Sequence, residues 1–241
     1  MTASPCRTVQ SARHSVVDMR LLLIRHGQTP ANVLGQLNTA VPGPRLTDLG
    51  RQQAALIPDA LRGSPIESIS ASILVRAQLT AEPLARERGL PVVIRSGLHE
   101  IAAGDLEDRT DRDSVRLYLE TVCAWAAGDL SRRMPGATDG HEFFERYDAD
   151  VADLAGTGAN TSVIFSHGAA IRVWVAGRAT NVPPDFAAKN EPGNTGVVEL
   201  IGSPSEGWVL ASWAGAALSG ASHDENEADD PTGESLRETS G

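Results

Sequence analysis

Two apolar runs in this chain end alike. Leu21-Leu22-Leu23-Ile24 runs into Arg25-His26-Gly27, and Val163-Ile164-Phe165 runs into Ser166-His167-Gly168. Each is short and continuously apolar, the mark of a strand buried on both faces, and such strands belong to parallel sheets covered by helices. Each then stops at a polar residue, a histidine and a glycine. In open α/β sheets, ligands collect just beyond the carboxyl ends of the strands. A histidine placed there twice brings two imidazoles to one crevice, so chemistry at histidine is the first expectation for function.

The chain between and after these runs alternates strand-like and helix-like segments. The fold class predicted is therefore α/β: a three-layer sandwich with a mostly parallel central sheet flanked by helices. Arg20 to Ile24 reads as the first strand, followed by a Gly-, Pro- and Asn-rich loop from Gly27 to Pro44. Thr47 is a good cap for a helix reaching Leu61. Ile66 to Ser70 is the next strand, and Arg76 to Arg88 a helix in which Pro83 should distort the chain or mark the first turn. Pro91 to Ile94 reads as a strand, Asp113 to Ala127 and Gly140 to Leu154 as helices. Thr161 to Phe165 and Ala169 to Ala176 form the second strand–His-Gly–helix unit. Thr195 to Ile201 and Trp208 to Trp213 close the sheet, the former as an edge open to pairing, so that a monomer and a homodimer are both compatible.

At 241 residues the chain suits one domain with tails, taken as residues 19–215. Residues 1–18 read as a disordered leader, with Met19 a candidate native start. Residues 216–241 read as an acidic disordered tail: Asp224, Glu225, Glu227, Asp229, Asp230, Glu234 and Glu238 face Arg237 alone and carry more than half of the formal net charge of −10. The body is thus close to neutral, without the basic stripe of a nucleic-acid binder. No apolar run is long enough to span a bilayer, and the leader lacks a secretory signal. Cys6 and Cys123 lie too far apart to suggest a disulfide framework, which places the protein in a reducing cytoplasm. Lys189 is the only lysine among 21 basic residues. Biased composition accounts for most of the arginines, but their planar forks matter wherever phosphate or carboxylate must be gripped.

Five motifs stand in order: Arg25-His26-Gly27-Gln28-Thr29, Leu46-Thr47-Asp48-Leu49-Gly50-Arg51-Gln52-Gln53-Ala54, Arg76-Ala77-Gln78-Leu79-Thr80-Ala81, Leu98-His99-Glu100 with Gly104 and Glu107 behind it, and Ser166-His167-Gly168-Ala169-Ala170-Ile171-Arg172. From Met19 to Trp213 this set resembles the histidine phosphatase superfamily, the phosphoglycerate mutase-like family. The resemblance implies a phosphohistidine mechanism without metal or cofactor, acting on a small phosphomonoester. His26 would be the nucleophile, a neutral imidazole whose other nitrogen is held by a hydrogen bond. Gly27 would let the backbone turn close to the phosphate. Arg25 and Arg76 would clamp the non-bridging oxygens, and His167 would donate to the same group. Thr29 and Asn32 match phosphate-loop positions, with Gln28 and Gly168 beside them. Glu100 matches the general acid, a role that requires it to be protonated, through burial or nearby negative charge, when the leaving group departs.

Other readings are weaker. His26, Glu100 and His167 are metal-ligand types, but no His-Glu-x-x-His or Cys-x-x-Cys spacing accompanies them and two arginines would repel a cation. A non-catalytic phosphate-binding protein would be expected to have lost His26, Arg25, Arg76 or His167, and all four are present. Glu100 could instead belong to a solvated acidic loop with Asp105, Glu107 and Asp108. His14, His99, His141 and His223 read as surface residues, Thr47 and Gly50 as helix-entry residues. Within the family, cofactor-dependent mutases carry a longer insertion between the acid and the second histidine. They also have Glu-Ser, then a Trp before the Asn, where this chain has Gln28, Thr29, Pro30 and Ala31. Both departures favour a phosphatase, with water as acceptor, over a mutase. Asp105 to Thr138 should roof the substrate, and Pro135-Gly136-Ala137-Thr138-Asp139-Gly140 stands where many relatives carry Gly-Gly-Glu-Ser. Trp125, Met134, Phe143, Phe144 and Tyr147 are roof or core residues, core being the better expectation. Sugar phosphates, phosphoglycerate derivatives, nucleotides and phosphoprotein all stay open as substrates.

Overall fold

The computed structural model describes residues 18–213. The expected leader (Asp18 apart), the acidic tail and the last two residues of the expected domain lie outside the described residues. The sheet has six strands in the order β3-β2-β4-β1-β5-β6. They are β1 (Met19–Arg25), β2 (Ser68–Ser72), β3 (Val92–Arg95), β4 (Thr161–Ser166), β5 (Val197–Ser203) and β6 (Gly207–Trp213). The first four in that order run parallel, whereas β5 is antiparallel to both β1 and β6. Four long helices follow the expected alternation: α2 (Asp48–Ala60), α3 (Val75–Arg88), α4 (Arg112–Ala126) and α5 (Gly140–Ala155); α6 (Gly168–Arg178) leaves β4 directly. Two one-turn helices complete the set, α1 (Pro30–Val33) and α7 (Phe186–Lys189).

The period-two alternation of the central strands divides the core. Leu21, Leu23, Ile164, Val198 and Leu200 face a layer formed by α4, α5 and α6, which supply Tyr118, Trp125, Phe143, Tyr147 and Trp174. Leu22, Ile24, Ile69, Ala71, Val163 and Phe165 face the other way, onto Ile57 and Leu61 of the α2 region and Ala77, Ala81 and Leu84 of α3. The helices that follow β1 and β4 therefore cover opposite faces. That makes the carboxyl ends of this adjacent pair the switch point at which an α/β sheet opens a crevice.

Three expectations are corrected. The strand at Thr195 to Ile201 is not a free edge: β5 lies between β1 and β6, and the edges are β3 and β6. Pro83 does not mark the first turn of α3 but lies inside the helix, which runs on to Arg88 and is stopped by Gly89 at φ 64°. The second strand runs Ser68–Ser72 rather than from Ile66: the Glu67 N–H already reaches the Thr161 carbonyl of β4, but the Ile66 N–H turns back to the Ser64 carbonyl. Trp125, Met134, Phe143, Phe144 and Tyr147 are all buried in the first core layer. Among the described residues, no helix is long and apolar enough to cross a membrane.

Candidate active site

β1 and β4 pair in a register that sets Arg25 against Ser166, so the two histidines fall one residue beyond the same edge. The His26 N–H continues the ladder to the Ser166 carbonyl at 3.1 Å. The two rings lie 5.2 Å apart between centroids, tilted by 57°. His26 is 2% exposed and His167 not at all. Burial, together with the charge of Arg76, holds both imidazoles well below the ordinary histidine value, with Arg25 adding to the effect at His26. Both rings are therefore neutral around pH 7.

The tautomer of His26 follows from its partner. Nδ1 lies 2.8 Å from the Gly27 carbonyl oxygen, which can only accept, so Nδ1 carries the proton and Nε2 the lone pair. His167 presents the opposite edge: its Nε2 is 2.8 Å from Ser72 Oγ. Its buried Nδ1 has no hydrogen-bond partner among the described residues.

Arg76, in the first turn of α3, is buried, yet its Nη2 donates to the Asn38 carbonyl (3.1 Å) and its Nη1 has no protein partner among the described residues. Burial lowers this guanidinium to about 10, so it is still charged at neutral pH; Glu100 and Glu107 act against the fall. Arg25 donates from Nη1 to the Pro192 carbonyl at 2.8 Å. Thr29 caps α1, and Asn32 closes the capping box: the Thr29 N–H and hydroxyl both donate to Asn32 Oδ1, which turns the amide NH2 to the other side. Gln28 is tied down, its side-chain oxygen accepting from the Thr47 hydroxyl at 2.8 Å. Gly168 opens α6 and is buried.

Glu100 is 1% exposed and stands at the amino end of α6. Oε1 accepts from the N–H groups of Ile101 and Ala170, both at 2.8 Å, and Oε2 from that of Ala169 at 3.2 Å. This is no solvated loop. Arg146, which the sequence reading did not single out, holds the segment by donating to the carbonyls of Gly97, His99 and Glu100. His99 is half-buried rather than a plain surface residue, and His141 is exposed; His14 and His223 lie outside the described residues.

The support beneath the loop that follows β1 is where sequence reading fell short. The Gly27 N–H donates to Thr80 Oγ (3.0 Å) and the Gln28 N–H to Gln53 Oε1 (2.9 Å). A Cβ on Gly27 would stand 2.6 Å from the Gly50 carbonyl oxygen, and one on Gly50 would overlap the Gln28 carbonyl. Gly27 thus serves a close crossing with α2 rather than a left-handed turn, and Gly50 serves the loop as well as the helix entry. Glu107 accepts from the Thr39 hydroxyl and from the N–H groups of Thr39 and Ala40, fixing the loop whose Asn38 carbonyl holds Arg76. On the far side, Asn194 Nδ2 donates to the His26 carbonyl (3.0 Å) and the Thr195 N–H to the Arg25 carbonyl (3.1 Å). Thr195 does so at φ 59°, a left-handed conformation that β-branched residues rarely adopt and that concentrates at functional sites.

Known proteins resemble this chain in sequence and fold. The sequence profile of the histidine phosphatase superfamily (branch 1) matches residues 21–215. The PE-PGRS family protein PE_PGRS11 of Mycobacterium tuberculosis is 39% identical over 215 residues, 83% of this chain but 37% of its own length. The adenosylcobalamin/alpha-ribazole phosphatase of Salmonella typhimurium is 37% identical over 128 residues, 53% of this chain and 62% of that protein. A solved structure of a mycobacterial glucosyl-3-phosphoglycerate phosphatase with VO3 superposes with a TM-score of 0.69 at 26% identity, covering 82% of this chain and all of that one. With two buried imidazoles at adjacent strand ends and a profile match across nearly the whole described region, this chain belongs to the histidine phosphatase superfamily.

Proposed function

We propose that this protein is a metal-independent phosphomonoester hydrolase that works through a phosphohistidine on His26 and acts on a small phosphorylated substrate. The observation that carries the reading is the fixed tautomer of His26. Its Nδ1–H is committed to the Gly27 carbonyl, so the Nε2 lone pair is available in a buried, neutral ring beside two guanidinium groups. Arg76 Nη1 and His167 Nδ1, both buried without a protein partner among the described residues, are the donors a phosphoryl group would satisfy. Guanidinium charge then screens the dianion from the incoming lone pair, the part a metal plays elsewhere. Arg25, Thr29, Asn32, Gln28 and Gly168 complete the proposed phosphate cradle. Gln28 and Thr29 contribute mainly through its shape, since their side-chain oxygens bond within the loop and to Thr47.

In the first step Nε2 of His26 bonds to phosphorus as the ester P–O bond breaks, and the departing alkoxide takes a proton from Glu100. The Ile101 and Ala170 N–H groups both donate to Glu100 Oε1, so Oε2 is the oxygen this proposal assigns to the proton transfer. In the second step water attacks phosphorus and gives its proton back to Oε2. The P–N bond breaks, phosphate leaves, and His26 and Glu100 return to their starting states. Named relatives include enzymes for alpha-ribazole and glucosyl-3-phosphoglycerate phosphates, which places small phosphomonoesters first among the substrates to try.

The test is phosphate release from a panel of phosphomonoesters in EDTA, with wild type and His26→Ala in parallel. The panel includes 3-phosphoglycerate with 2,3-bisphosphoglycerate, scored also for isomer interconversion. Release that vanishes in the variant, with a 32P label trapped on wild type alone, is the expected result. Turnover retained by His26→Ala overturns the mechanism, and interconversion faster than release makes the protein a mutase.

A further inference from the structure

We propose that Ser72 is a positioning residue that sets the tautomer of His167, directing the imidazole proton onto Nδ1 and toward the phosphoryl group. What that proton meets rests on the phosphatase reading above; the tautomer itself does not.

Ser72 is the last residue of β2, the neighbour of β4, and is fully buried. Its hydroxyl oxygen has two neighbours. The Leu74 N–H, which can only donate, reaches it at 3.2 Å and takes one lone pair. The His167 Nε2 lies at 2.8 Å and is the only ring or side-chain acceptor within hydrogen-bond distance of the hydroxyl among the described residues. Two arrangements of protons are conceivable. In one, the serine hydroxyl donates to Nε2 and the ring proton sits on Nδ1. In the other, the ring donates from Nε2, the serine proton has no acceptor, and Nδ1 turns a bare lone pair outward.

Among the described residues the first arrangement leaves one buried group unpaired, the Nδ1–H, whereas the second leaves two, the serine O–H and the Nδ1 lone pair. Each unsatisfied buried group costs about 1–3 kcal/mol. The first arrangement also matches the task. Phosphoryl oxygens only accept, and a ring kept neutral by burial has one proton to offer. With Nε2–H bound to Ser72, His167 would set a lone pair against those oxygens and repel what it is placed to hold. His26 and His167 are thus both Nδ1–H tautomers used from opposite sides. His26 spends its Nδ1–H on a carbonyl to free a nucleophilic Nε2, while His167 has its Nε2 occupied so that Nδ1–H can donate.

The experiment is a long-range 1H–15N correlation spectrum of the full chain, labelled with 15N-histidine, at neutral pH. His167 is assigned by the peaks lost in His167→Asn. Wild type should show a protonated Nδ1 and a bare Nε2 at His167. Ser72→Ala should shift the ring toward the other tautomer. Its turnover of aryl and alkyl phosphates should drop by the same factor, roughly 10-fold or more, approaching the ~10²–10³-fold of an outright lost donor. Ser72→Thr, which keeps the hydroxyl, should restore both. A wild-type His167 with its proton on Nε2 overturns the proposal without needing any variant to fold. So does a folded Ser72→Ala that keeps the wild-type tautomer, whatever its rate. Loss of the His26-dependent phosphatase reading would leave the tautomer result standing, so the two failures are distinguishable.

Discussion

Replacing Glu100 with glutamine separates the helix-end role seen for its carboxyl from the acid role proposed for it. In the protonated acid, Oε1 accepts from Ile101 and Ala170, while Oε2 accepts from Ala169 and carries the acidic proton. An amide can keep its oxygen at the first position and both bonds there. Its NH2 must then stand where Oε2 was, facing the buried Ala169 N–H donor to donor. One main-chain N–H is left unpaired in a dry site, a loss of about 2 kcal/mol. For a domain of this size that is roughly 4–8 °C of melting temperature. Glu100→Ala leaves all three N–H groups without the side chain and should fall further. Catalysis supplies the second axis. A general acid contributes typically ~10²–10⁴-fold, and only where the leaving group needs the proton. Glu100→Gln should therefore lose most of its rate on an alkyl phosphate and little on nitrophenyl phosphate. Thermal unfolding and a leaving-group series measure the two effects independently. An unchanged melting temperature would remove the helix-end role, and equal losses across leaving groups would remove the acid.

Two further expectations follow from the same site. His26 and His167 have folded-state values well below the unfolded value of about 6.5, so below that pH the unfolded chain binds protons that the folded chain refuses. Stability is full above about pH 6.5 and should fall as pH drops toward the folded values, by about 1.4 kcal/mol per pH unit for each ring. Urea unfolding at about pH 7 and about pH 5.5 checks this, and the slope should shrink in a His26→Asn/His167→Asn variant. Gly50→Ala should destabilise by about 1–3 kcal/mol and lower turnover, although alanine is normally the better helix residue, because its Cβ would overlap the Gln28 carbonyl. Gly63→Ala, where nothing lies within 4 Å, is the control, and an equally tolerated Gly50→Ala would refute the close crossing.

What could be read in advance was whatever a strand or helix imposes locally. The apolar runs at Leu21 and Val163 announced strands buried on both faces, and their common ending placed both histidines, since parallel neighbours in register end together. Thr47 announced its helix by a cap that the structure shows accepting from the Gly50 N–H. Residues that act across the fold left no such mark. Ser72, Gln53, Thr80 and Asn194 are ordinary small polar residues, and each matters through one atom of a partner distant in sequence, as Gln53 does through the Gln28 N–H. Thr195 is harder still, since a β-branched residue argues against the left-handed turn it makes. The assignment of its segment to an exposed edge strand failed for a related reason. Strand order depends on which neighbours fill the sheet: the closing pair was legible, but not that β5 sits between β1 and β6 and leaves the edge to β6.

The arginines divide along the same line. Those that pair with carboxylates three residues away, Arg51 with Asp48, Arg62 with Asp59 and Arg116 with Asp113, are exposed, and such pairs contribute little. Buried Arg25 and Arg76 and half-buried Arg146 are handled differently. Arg25 gives a hydrogen bond to the Pro192 carbonyl, Arg76 to that of Asn38, and Arg146 to those of Gly97, His99 and Glu100. A carbonyl orients a guanidinium without cancelling its charge, whereas a carboxylate in contact would do both. Arg76 makes no ion pair among the described residues, and Glu100 and Glu107 act on it from beyond contact. Its charge is therefore left for an anion, in a site whose two imidazoles are both neutral. Burial first, and then the positive field of Arg76 and Arg25, keep His26 unprotonated, and in the proposed mechanism that same field would draw the phosphoryl group to it. Burial thus leaves the proposed nucleophile neutral and the proposed clamp, at about 10, still charged, and a clamp held by a backbone carbonyl rather than by an acid keeps that charge for the phosphoryl group.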